Sequence, residues 1–237
     1  MSEPSSPQRK LIIAIDGPSG AGKGTIAREL ASRLRYRHID TGAMYRAVAW
    51  KALQQGLDLQ DETAIAALSQ RASFELENGR IAIDGHDVSQ AIRTPEMDAA
   101  AAAVARLPAV RRALVSRQQS LGESGGVVME GRDIGTVVFP NADVKIYLDA
   151  SPEERARRRA NDPSHRSSSG AALSDVATAL AERDRSDSTR AVSPLVMADD
   201  AILIETTGMP IGSVVDRVLS MVLHRSRPGS DKPGATH

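Results

Sequence analysis

Residues 11–25 read LIIAIDGPSGAGKGT, four glycines and one lysine packed behind a short apolar run. Gly17, Gly22 and Lys23 carry the spacing G-x-x-x-x-G-K, and a helical pattern follows over 25–34. Glycines let the backbone turn tightly and aim successive N–H groups inward. The start of the helix adds positive potential, and the lysine adds a full charge. A nucleoside triphosphate suits such a loop, held by Gly17, Pro18, Ser19, Gly20, Ala21, Gly22, Lys23, Gly24 and Thr25. One residue departs from the usual pattern: Gly24 stands where Ser or Thr commonly ligates magnesium, and the hydroxyl comes one place later, at Thr25. The loop therefore lacks its usual protein ligand for Mg²⁺.

A loop of this kind fixes a phosphate donor and leaves the acceptor open. The arginines bear on that question. Arg46 ends DTGAMYR, Arg132 and Asp133 end VVMEGRD, Arg155, Arg157, Arg158 and Arg159 crowd one helical stretch, and Arg183, Arg185 and Arg190 follow. On a helix, Arg183, Asp187 and Arg190 fall at i, i+4 and i+7, one face with a carboxylate between two guanidiniums. A solvated salt-bridge ladder has the same pattern. Arg132 and Asp133 tip the reading towards a site, because they end an interior strand, where open α/β sheets bind ligands. Guanidiniums suit an acceptor phosphate and the charge that gathers during phosphoryl transfer. The 155–159 run reads as a lid that excludes water, or equally as a solvated helix face.

The elements that must position these groups alternate. Apolar runs at 11–15, 36–40, 126–130, 144–150 and 201–205 are separated by helical patterns, which predicts a parallel sheet buried on both faces by helices. Residues 72–89 differ, with Asn-Gly and Asp-Gly turns between short alternating runs, and predict an antiparallel meander within an insertion over roughly 61–95. The stretch 95–122 is strongly helix-forming, with a break at Pro108. At 237 residues and 41% hydrophobic content the chain is expected to bury one core with insertions. Thirty basic and thirty acidic residues cancel, which argues against a nucleic-acid or membrane partner. The absence of cysteine excludes disulfides, thiolate zinc sites and cysteine nucleophiles. No apolar stretch reaches signal-peptide or membrane length, so a cytoplasmic protein is expected. Residues 1–9 and 225–237, rich in Ser, Pro and charge, are expected to be mobile tails.

The stretches IDGPSGAGKGT, DTGAMYRA, DGHDVSQAIRT, MEGRDIGTVVFPNADVKIYLDAS and ERD…RAVSPL together resemble the bacterial cytidylate kinases, within the nucleoside monophosphate kinases, over about residues 10–222. The resemblance implies a P-loop α/β three-layer sandwich with a five-stranded parallel sheet. It implies a core over 10–40, 106–152 and 176–224, a monophosphate-binding region over 41–105 with a small antiparallel sheet, and a short lid over 153–175. The implied reaction transfers the γ-phosphoryl group of ATP to CMP or dCMP, with Mg²⁺ arriving with ATP and no residue assigned as its direct ligand. Carried over residue by residue, Thr41, Arg46, Arg132 and Arg190 match positions that hold the acceptor phosphate. Arg183 and Asp187 match contacts to ribose and phosphate, and Arg111 and Asp133 match the readers of cytosine. Lys23, Arg132, Arg183 and Arg158 are assigned to the phosphoryl group in transfer. Where relatives place a serine beside the base, this chain has Ala102. A monomer is implied. The alternatives are a kinase of another small acceptor (UMP, AMP or a sugar acid) and a regulatory nucleotide switch, for which the chain lacks an N-K-x-D motif.

Overall fold

The structure, a computed structural model, describes residues 10–77, 79–162 and 172–225. The expected tails, apart from residue 225, and the middle of the expected lid lie outside the described residues.

Along the chain, β1 (Ile12–Asp16) leads through the glycine loop into α1 (Lys23–Leu34), then β2 (Arg37–Asp40) and α2 (Thr41–Gln54). Next come α3 (Glu62–Arg71) and three short strands, β3 (Phe74–Glu77), β4 (Arg80–Ile83) and β5 (His86–Asp87). Then follow α4 (Pro95–Val104), α5 (Pro108–Gly122), β6 (Val127–Glu130), a π-helical turn (Ile134–Val138) and β7 (Val144–Asp149). The chain continues through α6 (Pro152–Ala160), α7 (Leu173–Ser188), β8 (Ile202–Glu205) and α8 (Ile211–Arg225). Strands β2-β6-β1-β7-β8 form a five-stranded sheet, parallel throughout. Strands β3-β4-β5 form the small antiparallel sheet.

Local chemistry accounts for the boundaries. Pro108 cannot donate to a helix running through it, so α4 stops at Val104 and α5 begins at the proline itself. Asp40 caps α2 by accepting from Ala43 N–H, and Thr94 caps α4 by accepting from Met97 N–H. In the meander, Asp84 and Gly85 both adopt positive φ, and the Asp84 carboxylate accepts from Ser73 N–H at 2.7 Å.

Burial follows position in the sheet. Ile13, Ala14 and Ile15 of the central β1 are fully enclosed. The expectation of two covered faces fails at β8, where Ile202 is 39% and Leu203 51% exposed. Among the described residues that strand is an edge, hydrogen-bonded to β7 alone. Separate apolar clusters form under α1 and α8, under the π-helical turn, and around α2, α3, α4 and α5 with the meander. From β1 the chain moves to the edge strand on one side, and from β7 to the edge on the other. Their carboxyl ends therefore open a crevice, the place where such sheets bind ligands.

Candidate active site

The glycine loop fills the bottom of that crevice. Gly17 (φ 143°) lies so close to β7 that a side chain there would overlap the Leu148 carbonyl oxygen. A Cβ on Gly20 would come within 2.9 Å of Arg155. Gly22, at φ 92°, caps α1, which starts at Lys23, two residues before the sequence pattern predicts. The α1 N-terminus thus points its free N–H groups into the loop. Lys23 is buried, and its Nζ donates to Pro18 O at 2.7 Å. Burial, then the nearby Arg132, pushes the Lys23 ammonium down to about 7. A phosphate chain beside it would restore the charge.

The loop is braced from α6 and α7. Ser19 N–H donates to Asp184 Oδ1 at 3.0 Å, while Arg155 pairs with Asp184 and donates to Ser19 O. Arg158 donates to Thr206 Oγ1 and Thr206 O at 2.9 and 2.7 Å and lies against Ala21 O. The four α6 arginines thus do separate things: Arg155 and Arg158 meet the loop, Arg159 meets Asp98 on α4, and Arg157 is turned out beside Glu154.

A cavity of about 1140 Å³ opens above the loop. Lys23, Thr25, Arg46, Arg132, Arg158 and Arg183 are among its walls. Thr41, Arg111, Asp133, Asp187 and Arg190 are buried and are not on that wall. Thr41 donates to Glu130 O at 2.8 Å, tying α2 to the end of β6. Arg111 and Asp133 form an ion pair, with Arg111 5.5 Å above the Tyr45 ring. Burial pushes the Tyr45 hydroxyl up to about 12.

Asp187 departs from the helical-face expectation. α7 ends at Ser188, so Arg190 lies past the helix and folds back, its Nη1 3.6 Å from Asp187 Oδ1. The second guanidinium on Asp187 is Arg132, whose Nε is 2.8 Å away, rather than Arg183. Burial alone would raise the Asp187 pKa, but Arg132, Arg190 and Arg183 outweigh it and hold the carboxyl below its ordinary range. Arg190 Nε and Nη2 and Arg46 Nε are buried without a hydrogen-bond partner among the described residues. Such surplus donors are what an incoming anion can satisfy.

Three contributors are not prominent in the sequence. Asp16, ending β1, accepts from Ile134 and Gly135 N–H at 2.8 and 2.7 Å, which fixes the segment carrying Arg132 and Asp133. Burial pushes its carboxyl up to about 6. Glu130 hydrogen-bonds with His38 Nε2 at 3.0 Å, and its Oε1 lies 3.0 Å from where a Gly24 Cβ would stand. The missing side chain at Gly24 therefore makes room for a carboxylate from the neighbouring strand. Asp98 collects arginines from three helices. Of these, Asp16 and Glu130 carried a sequence signal, an acid ending an interior apolar strand, and Asp98 carried none.

A family model described as cytidylate kinase matches residues 13–224. A cytidylate kinase of Solibacter usitatus (strain Ellin6076) is 49% identical over 225 residues, covering 94% of this chain and 97% of that protein. One from Pelotomaculum thermopropionicum is 49% identical over 217 residues, with 89% and 95% covered. Among solved structures, an uncharacterized protein from Eubacterium ventriosum shares the fold alone, with a TM-score of 0.50 at 9% identity, covering 90% of this chain and 98% of that one. Near-complete relatives at about half identity, and a family match running from β1 to α8, place this chain in the cytidylate kinase family.

Proposed function

We infer that this chain transfers the γ-phosphoryl group of ATP to CMP or dCMP, yielding ADP with CDP or dCDP. Family membership supports the reaction. The observation that carries it to these residues is one arrangement: Arg190 and Arg132 share Asp187, Arg132 stands on the cavity wall above the loop, and Asp133, paired with the buried Arg111, follows Arg132 directly in the chain.

In this reading the loop N–H groups and Lys23 hold the ATP phosphates. Arg46, Arg132 and Arg190, with Thr41, hold the acceptor phosphate. Arg183 and Asp187 meet ribose and phosphate. Asp133 accepts from the exocyclic amino group of cytosine, and Arg111 donates to the ring; uracil offers Asp133 no such donor. Ala102 supplies no hydroxyl to the base. The acceptor phosphate is already ionised at neutral pH, so no general base is required. The arginines, Arg158 among them, neutralise charge during in-line attack, and positioning does most of the rest. The working division is a core over 10–40, 106–152 and 176–224, an acceptor region over 41–105 and a lid over 153–175.

Magnesium would supply charge neutralisation across the triphosphate. It needs only one or two protein oxygens beside water and phosphate, and Thr25 and Glu130 are hard oxygen donors at the loop that fit this demand. A cytoplasmic monomer is the working description. No helix among the described residues is long and apolar enough to cross a membrane.

An acceptor panel tests the reading. ADP release from ATP should be fastest with CMP or dCMP and slow with UMP and AMP; equal rates across the panel would remove the cytidine assignment. Another small acceptor has no observation in its favour.

A further inference from the structure

Asp98 lies in the first turn of α4, where a carboxylate ordinarily serves the positive end of its own helix and faces water. Here its side chain is only 12% exposed and, among the described residues, lies by three guanidiniums from three other helices. Arg183 of α7 is 2.9 Å from Oδ1, Arg46 of α2 is 3.6 Å from the same oxygen, and Arg159 of α6 donates to Oδ2. All three arginines are on the wall of the large cavity; Asp98 is not. Guanidiniums gathered this closely repel one another unless an anion sits between them. A carboxylate presents two oxygens to that cluster, as a phosphate would.

The contacts also cross the molecule. α4 and α2 stand on the side that carries the proposed acceptor contacts of Arg46, whereas α6 braces the loop through Arg155 and Arg158 and α7 does so through Asp184. One carboxylate therefore joins the two sides through three arginines of the cavity wall.

We propose that Asp98 is a positioning residue that holds Arg46, Arg159 and Arg183 in phosphate-receiving geometry and ties α6 to α4 before nucleotide arrives. It rests on the reading of Arg46 and Arg183 as phosphate holders. Asp98 touches no reacting atom; it acts through the arginines. Loss of its charge lets them spread, and misplacing such groups by about 1 Å costs on the order of 100-fold in rate.

The test compares Asp98→Asn, which keeps the shape and loses the charge, with Asp98→Glu. With CMP as acceptor, Asp98→Asn should lower kcat/KM about 10- to 100-fold while the KM for ATP moves by less than about twofold, and Asp98→Glu should recover part of the loss. In an Arg159→Ala background, Asp98→Asn should cost clearly less than in the parent, because the pair is already broken. Hydrogen exchange reads the tie without turnover: in nucleotide-free protein, residues 152–160 should exchange faster in Asp98→Asn while 23–34 stay unchanged. Arg159→Ala, which breaks the same contact from α6, should give the same exchange change should the Asp98 variant fail to fold. Strictly additive losses, unchanged exchange over 152–160, or a lower KM for CMP in Asp98→Asn would each overturn the proposal. A parent protein that does not phosphorylate CMP would instead sink the substrate reading, and the exchange result would still decide the role of Asp98.

Discussion

Replacing Asp187 with alanine strips the shared counter-ion from two guanidiniums. Its side chain is 8% exposed, Arg190 is 5% exposed, and Arg132, at 17%, has some access to water. Removing one partner from a buried ion pair costs about 3–5 kcal/mol, because the other charge stays buried alone. Water reaching Arg132 puts the expected loss near the lower end, about 3 kcal/mol. For a chain of this size that lowers Tm by roughly 6–12 °C. Urea unfolding followed by circular dichroism measures it as a lower midpoint at unchanged slope. Asp187→Asn should resemble the alanine variant, since the charge is what is missing. Acid supplies a second check. The folded-state carboxyl titrates below its ordinary value of 3.8, so its contribution is present above that pH and is lost as pH falls through the lower folded value. The gap between parent and variant should therefore be constant near neutrality and close in acid. A loss below about 1 kcal/mol at pH 7, or a gap that widens in acid, would refute the counter-ion reasoning.

Gly17→Ala should destabilise the fold by about 2–4 kcal/mol, because the new methyl meets a β7 carbonyl at a φ that side chains avoid; a midpoint shift under about 1 kcal/mol would contradict that packing. ATP binding near pH 8 should take up protons, since Lys23, lowered to about 7 by burial, regains its proton beside phosphate. Calorimetry in two buffers of different ionisation heat reads this uptake, and uptake that persists in Lys23→Ala would assign it elsewhere. Asp133→Asn should reduce CMP turnover about tenfold more than UMP turnover, and equal losses would deny it a base-reading role.

The strands and the loop were legible because each is specified by neighbours in sequence: LIIAI by its apolar run, Gly22 by the φ that only glycine accepts readily, Pro108 by the donor it lacks. The meander showed in its turn residues. The start of α1 at Lys23 was missed because the loop itself supplies the helix cap. The exposure of Leu203 was missed because apolar content does not say whether a strand is central or an edge. At the site, residue types with local spacing were readable, but pairings across the chain were not. Asp187 faces Arg132, 55 residues away, rather than Arg183 on its own helix, since the end of α7 and the end of β6 meet only in three dimensions. Asp98 drew no reading from the sequence, because nothing in PEMDAA announces three arginines from elsewhere.

The separate apolar clusters bear on how this protein can change over generations. Lys23 and the loop hang from the cluster of α1, α8 and the sheet, whereas Arg46 and Arg111 hang from the cluster of α2, α3, α4 and α5. Substitutions that reshape what is recognised can accumulate around the second without disturbing the packing that supports triphosphate handling. On the proposed assignment, acceptor contacts can thus vary while the packing under the loop stays fixed.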